Sequence, residues 1–490
     1  MKFLNTLQII LRNHLLERKF TTKDESNDKG NRIVPWFRQS VAAIGPLLCS
    51  MCVGLTMGYS TGLIPQLQES THNGDSIMIT KEDASWVASM PVLPMAASTF
   101  IGGFFIQRYG RKRTHIISCF PQFAGWIIMY FALNLEMILM GRFLTGLAAG
   151  IVSPATGVYI GETSEPKYRG VLLGAIPLCV SIGLLVSHLL GTFLPWRLGA
   201  VIISIIPVLG WVLMTFTPES PTWLAQKGFI EKAENSFQWL RGSSEDAQHE
   251  LTQMLAKINE NRQCKDKTIM EKLKELRCPE FWKPMAILLF FFITSQWAGI
   301  NAVNFYSVTF MKETLGNSFN EYLASFIVDC VRVVASIIAC ILMRKVGRRP
   351  LGIVSGIGTF IPLFLLSSFI YFTKSYGIED SKSLSAIPIT SLLMYIFFIT
   401  AGFVTLPWNL IGELLPLTGR SLGSAIASCT GYMSMFTVVK TMPFLFENLS
   451  PEGTFLVYGG CALIGTVFII LYMPETKNKT LHEIEEFFKK

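Results

Sequence analysis

Charge is what this sequence has little of. Of its 490 residues only 16% are Asp, Glu, Lys or Arg, where a soluble domain carries about 25%. So few charges cannot coat the several soluble domains that the length alone would suggest. Half the residues are apolar, which excludes a disordered chain, and no fibrous or low-complexity period runs through it. The six histidines are scattered and form no ligand cluster. H-E-x-x-H, G-x-S-x-G, a P-loop and a paired-carboxylate site are all missing, so neither catalysis nor a metal or cofactor is expected. The ten cysteines add nothing. Eight lie in or beside apolar runs, Cys264 and Cys278 fall in a polar stretch, and Cys49-x-x-Cys52 lacks the further ligands zinc needs. No segment offers the basic face that nucleic acid requires.

What is present is apolar and blocked. Mean hydropathy is +0.43, and a bilayer core takes about 20 apolar residues per helix. Twelve spans are expected, at 37–63, 84–107, 114–133, 136–160, 171–194, 197–217, 284–308, 319–343, 350–373, 386–410, 420–446 and 453–473. Of the 42 basic residues, 34 fall in or at the edge of segments on one side of these spans. Five lie in loops on the other side (Lys81, Arg197, Lys312, Lys374, Lys382), and three lie inside spans (Arg142, Arg332, Lys440). This bias places both termini in the cytoplasm and explains the net charge of +8. The N-terminal stretch lacks a small-residue cleavage site and reads as a cytoplasmic tail rather than a signal peptide. The lipid bilayer is therefore the first partner, and the fold class is an all-α membrane protein.

The most informative feature is a duplication. Residues 108–114 (RYGRKRT) follow span 2, and 344–350 (RKVGRRP) follow span 8. GETSEPKYRG (161–170) follows span 4 and GELLPLTGR (412–420) follows span 10, while PESP (218–221) and PETK (474–477) follow spans 6 and 12. Gly110 and Gly347, Glu162 and Glu413, and Pro218 and Pro474 lie 237, 251 and 256 residues apart. Two six-helix units of equal topology follow, 37–217 and 284–473. They are flanked by tails at 1–36 and 474–490 and joined by a loop at 218–283. Parallel six-helix repeats are the architecture of major-facilitator transporters. The glycines suit tight turns. Arg111, Glu162 and Arg169 in the first half and Arg348, Glu413 and Arg420 in the second are expected to form a cytoplasmic gate, with ion pairs across the mouth. In the joining loop, 221–241 and 245–262 read as helices, with Ser243 near the start of the second.

Together these motifs, with GRFLTGLAAG, SQWAGIN and PWNLIGELLP, resemble the sugar porter family of the major facilitator superfamily over about residues 40–485. Within it the chain is most similar to insect facilitated trehalose transporters, on AIPLCVSIG, YIGET and VVKTMPF. The resemblance implies sugar contacts at Gln296 and Asn301, and short cytoplasmic helices that latch the halves. The pocket departs from the family. Ser295-Gln296 replaces paired glutamines, Thr400 a frequent glutamate, Asp329 an asparagine, and Gly431-Tyr432 an Asn-Trp.

The residues themselves point the same way. Sugars need amides that both donate and accept, plus an aromatic plate. Gln296, Asn301 and Asn304 lie within nine residues of span 7, and polar groups in a bilayer core must face partners or a wet cavity. Trp408 follows Pro407 and is a candidate plate; the competing reading is a belt tryptophan. Asp329 and Arg332, three apart, either neutralise each other or touch substrate. The expected function is facilitated uniport of a small sugar such as trehalose or a hexose across the plasma membrane, by a monomer. The alternatives are a sugar sensor, or a proton-coupled carrier of a sugar, polyol or organic ion. Uniport is favoured because Ser60 stands where, by the resemblance, proton-coupled relatives have an aspartate. Arg332 would hold Asp329 ionised, and His188 has no partner visible in the sequence. Asn448 opens an Asn-Leu-Ser sequon followed by Pro451.

Overall fold

A computed structural model of the chain describes residues 35–68, 77–263, 279–306, 308, 321–376, 386–416, 420–477, 479, 483–484 and 487–488. The expected tail over 1–36, Lys312, Lys382, Cys264 and Cys278 thus lie wholly or almost wholly outside the described residues. The first half opens with α1 (Pro35–Gln68), α2 (Lys81–Ser89) and α3 (Val92–Tyr109). It continues with α4 (Arg111–Tyr130), α5 (Leu135–Thr163), α6 (Pro166–Phe193) and α7 (Trp196–Phe216). Local chemistry sets several starts. Thr80 and Asp83 form a reciprocal capping box on α2. Asn134 Oδ1 accepts from Met137 N at 2.9 Å at the start of α5. Pro166 occupies the first turn of α6, where its missing N–H is no loss. Pro91 separates α2 from α3, so one span arrives in two pieces.

The second half comprises α11 (Pro279–Gln296), α12 (Ile300–Phe305), α13 (Glu321–Lys345), α14 (Arg348–Tyr376) and α15 (Ala386–Phe398). A π-helical turn (Ile399–Phe403), α16 (Thr405–Leu414) and α17 (Arg420–Tyr472) complete it. Among the described residues nine helices are long and apolar enough to cross a membrane. Three features bring this to twelve spans. α17 is two spans joined at Ser450, whose φ of 57° is not helical. α4 is less apolar because Arg111, Lys112, Arg113 and His115 crowd its first turns. The seventh span is divided between α11 and α12. Phe104, Phe120, Phe216 and Leu471 are exposed on the outside of the bundle, as expected of a surface solvated by lipid.

The joining loop differs in detail from the reading of its sequence. The helix expected over 221–241 is two, α8 (Pro221–Lys227) and α9 (Ile230–Arg241), because Gly228 ends the first in the left-handed conformation (φ 91°). For α10 (Glu245–Gln263) the capping oxygen is that of Ser244, which accepts from Ala247 N at 3.3 Å, one residue after Ser243. The described contacts of these helices run to the first half. Trp223 Nε1 donates to Gln107 O at 3.1 Å, and Arg38 Nη1 on α1 donates to Trp239 O at 3.3 Å.

The halves meet along two seams. On one, Ser181 of α6 and Ser336 of α13 share a hydrogen bond at 2.7 Å. On the other, Ser153 Oγ of α5 lies 2.7 Å from Tyr432 Oη of α17. The end of the bundle carrying Glu162 and Glu413 is the motif end. At the opposite, far end the halves are joined by Lys81–Glu447 at 2.6 Å and by Ser85 Oγ donating to Lys440 O at 3.3 Å.

Candidate functional site

The seventh span breaks at Gly299, whose φ of 91° suits glycine; a Cβ there would also meet the Tyr458 ring at 2.4 Å. The break turns three amides onto one buried line. Asn301 Nδ2 donates to Gln296 Oε1, and Asn304 Nδ2 donates to Asn301 Oδ1 at 3.2 Å. All three are buried, at 2%, 5% and 6% exposure, so the protein itself satisfies part of each amide. What remains unused is informative. Asn304 Oδ1, Tyr306 Oη, Tyr458 Oη and Thr400 Oγ1 are buried without a hydrogen-bond partner. A buried, unsatisfied polar atom costs about 1–3 kcal/mol, so a polar guest or water is favoured beside each of these atoms.

Trp408 is half-buried, its ring 4.9 Å from Phe292 and 5.3 Å from Tyr432. The break that positions it lies upstream of Pro407, in the π-helical turn at Ile399–Phe403. A π-turn inserts one residue and rotates everything after it.

The other sequence candidates divide into two groups. Asp329 is buried and accepts from Arg332 Nη1 at 2.5 Å, which fits mutual neutralisation. It also has a second partner, His188 Nδ1 of α6, at 2.5 Å. The expectation that His188 lacks a partner is therefore corrected: the partner comes from the other half, 141 residues away. His188 Nε2 lies 3.3 Å from the backbone oxygen of Asn304, which Thr61 Oγ1 also reaches at 3.1 Å. Sequence reasoning missed both contacts; the one available signal was an imidazole inside a span, which is rare without a role. In the first half Arg142, fully buried, donates to Thr56 O at 2.6 Å, Val87 O at 3.2 Å and the Ser60 hydroxyl, all neutral acceptors.

The charged residues at the motif end close within each half. Arg111 Nη2 meets Glu162 Oε1 at 2.7 Å, and Arg348 Nη2 meets Glu413 Oε1 at 2.8 Å, so these two ion pairs do not cross the mouth. The repeat explains their setting. Ser220 of PESP donates to Glu162 at 2.5 Å, and Thr476 of PETK donates to Glu413 at 2.6 Å. The neighbouring acids cap helices. Glu219 accepts from the N–H groups of Arg111 and Lys112 at 2.9 and 3.0 Å, and Glu475 from those of Arg348 and Arg349 at 2.9 and 3.2 Å. A Cβ on Gly110 or Gly347 would lie 2.4 or 2.3 Å from the respective carboxylate, so these glycines make room for a cap. Burial pushes the Glu475 carboxyl up. The N–H groups of Lys477, Arg348, Arg349 and Thr476 outweigh burial and hold it below the usual carboxylate range. Arg169 Nη2 donates to Ser164 O at 3.2 Å. Arg420 opens α17, and its side chain lies outside the described part of the structure.

Comparison with known proteins gives the family and the fold. The profile of the family described as "Sugar (and other) transporter" matches residues 42–488. The facilitated trehalose transporter Tret1 of Drosophila pseudoobscura pseudoobscura is 35% identical over 458 residues, 93% of this chain and 51% of that protein. The Tret1-2 homolog of Drosophila sechellia is 33% identical over 92% of this chain and 90% of its own. The chain thus spans about half the length of the first of these curated relatives. Among solved structures, the proton:xylose symporter XylE bound to 6-bromo-6-deoxy-D-glucose superposes with a TM-score of 0.75. Sequence identity is 20%, and the match covers 93% of this chain and all of that one. The inward-open xylose transporter XylE from E. coli gives 0.72. The fold is that of the major facilitator superfamily, twelve membrane-spanning helices in two six-helix bundles, and the chain belongs to the sugar (and other) transporter family.

Proposed function

We propose that this protein is a facilitated sugar transporter, a uniporter that moves trehalose or a hexose across the plasma membrane by alternating access. The observation that carries the reading is the amide ladder Gln296–Asn301–Asn304, held on a broken helix inside the membrane-spanning bundle beside unpartnered Asn304 Oδ1. Amides that donate and accept at once match a ring of hydroxyls. Trp408, edge-to-face with Phe292 and tilted against Tyr432, offers the apolar face that sugar C–H groups take, and Asp329 is linked through His188 to the Asn304 backbone. The relatives' printed names supply the candidate sugar.

In this reading residues 37–217 and 284–473 are the two moving bodies, and 218–283 is the joining loop. The motif end, both termini and that loop are cytoplasmic, as the basic bias requires. Arg111, Glu162, Arg169, Arg348, Glu413 and Arg420 line the cytoplasmic gate, with Arg111–Glu162 and Arg348–Glu413 each paired inside its own half, and a monomer suffices. Uniport is supported by Arg142, whose acceptors near α1 are two carbonyls and the Ser60 hydroxyl, none of which titrates in the physiological range. The test is uptake of labelled mono- and disaccharides into liposomes holding the purified protein. Trehalose or a hexose should equilibrate without accumulating, whatever proton gradient is imposed. No flux of any sugar would sink the reading. The His188–Asp329 contact favours a second reading, a proton-coupled carrier; accumulation in acid-outside liposomes that collapses with a protonophore would establish it.

A further inference from the structure

We infer that His188 and Asp329 together bind one proton when the far end of the protein is closed, and release it when the halves separate there. The inference rests on the alternating-access part of the proposed function, and it does not require that the proton cross the membrane.

The argument is a count of donors and acceptors around one ring. His188 Nδ1 lies 2.5 Å from Asp329 Oδ2, and Nε2 lies 3.3 Å from the backbone oxygen of Asn304. A carboxylate and a carbonyl only accept. A neutral imidazole has one N–H and one lone pair. With the proton on Nδ1, the Nε2 lone pair faces the Asn304 carbonyl. With the proton on Nε2, the Nδ1 lone pair faces the carboxylate. Each neutral tautomer therefore sets one nitrogen against an acceptor. One added proton removes the conflict in either of two equivalent ways: an imidazolium beside a carboxylate, or a neutral ring accepting from a carboxylic acid. In both, each ring nitrogen is satisfied.

The surroundings fix the sign. From α13, Asp329 and Arg332 face the site, with Arg332 Nη1 on Asp329 Oδ1 at 2.5 Å. From α1, Gly58 lies against the ring, where an added Cβ would come 3.1 Å from His188 Cδ2. From α12 comes the Asn304 carbonyl, shared with Thr61. Arg142 of α5 directs its donors to α1 and to the Val87 carbonyl. Asp329 and Arg332 already cancel, so the added proton leaves the cluster with a net positive charge in a buried place. Burial of that charge opposes binding; the short contact to Asp329 and the second bond to Asn304 favour it. Both favourable contacts join α6 of the first half to α12 and α13 of the second, so they exist only while the halves are together at this level. Separation removes both contacts, and with them what favours holding the added proton. Acid therefore stabilises the closed far end, and alkali weakens its hold on Asn304 and on the amide ladder beside it.

The experiment reads the far end directly and needs no sugar. The 490-residue chain in lipid nanodiscs carries nitroxides at Met78→Cys and Leu449→Cys, two exposed far-end positions, with its native cysteines replaced. Double electron–electron resonance then gives the closed-to-open ratio between about pH 8 and pH 5.5. The ratio should rise as pH falls, by up to about tenfold per pH unit, the ceiling for one linked proton. His188→Gln, whose amide donates without titrating, should flatten the response. A wild-type ratio indifferent to pH overturns the inference, and so does a response that His188→Gln leaves intact. Sugar flux in liposomes reports separately. Flux with a flat distance response defeats this inference alone, and a proton-linked distance change without any sugar flux defeats the substrate assignment alone.

Discussion

Asn301 stands between two amides, donating to Gln296 and accepting from Asn304, and all three are buried. Under the proposed function, truncating either Gln296 or Asn301 to alanine removes a substrate contact and unpairs its neighbour. Each change should weaken sugar binding by about 1–3 kcal/mol while surface expression holds; wild-type affinity in both variants would place the site elsewhere. Gly299→Ala acts on the backbone instead. A left-handed φ costs a non-glycine residue about 1–2 kcal/mol, and the new methyl would press on Tyr458. Its melting temperature should fall even without substrate, and an unchanged one would show that the break tolerates a side chain. The ladder was legible in the sequence because its members lie within nine residues and Asn301 and Asn304, three apart, share a helix face; the break at Gly299 then brings Gln296 onto the same line. The Asp329–Arg332 pair was legible for the same reason. His188 was not, because its partners are contributed by the other half and no local spacing encodes them.

At the scale of the element, helices were readable from apolar runs, caps and prolines, but two features that aim side chains were not. The π-turn at Ile399–Phe403 leaves no mark in hydropathy, and Pro407 only follows it. Gly110 and Gly347 were readable as turn formers, whereas their closeness to Glu219 and Glu475 is a relation between distant motifs. That relation explains why Pro-Glu-Ser and Pro-Glu-Thr recur at the ends of the two halves: the acid caps a helix and the hydroxyl holds Glu162 or Glu413. Glu475→Ala should therefore lower stability at neutral pH by about 0.5–2 kcal/mol, the usual worth of a cap. The native carboxyl is held below the usual carboxylate range. Its contribution is thus complete above the value of the unfolded chain and fades as pH falls through the native value. Melting of wild type and variant in detergent, near pH 7 and in acid, measures this. The gap between them should close in acid, and a gap that persists would mean that the acid matters through packing.

On the scale of the whole molecule, the repeat gave the topology of each half but not how the halves sit together. The contacts across the seams join residues 141, 279 and 355 positions apart, and a duplication says nothing about pairs between its copies. A carrier that alternates needs its two states nearly balanced, so closure at either end has to rest on small differences. The far end fits this. Lys81 and Glu447 are both exposed, and such a pair is worth about 0–1 kcal/mol. Lys440 Nζ lies 3.9 Å from the centre of the Trp86 ring, a contact worth about 0.5–1 kcal/mol at exposed sites and more when desolvated. Removing it with Lys440→Ala leaves the backbone bond to Ser85 in place and shifts the balance by about 1 kcal/mol, roughly fivefold, toward the far-open state. Ala84, at 4% exposure on α2, is a suitable reporter. In the Ala84→Cys background, Lys440→Ala should raise labelling by an impermeant maleimide from the far side by about that factor. Glu447→Gln should raise it less, since its pair is the more exposed. Equal labelling with and without Lys440 would show that packing along α6 and α13, rather than the cation over Trp86, holds the far end shut.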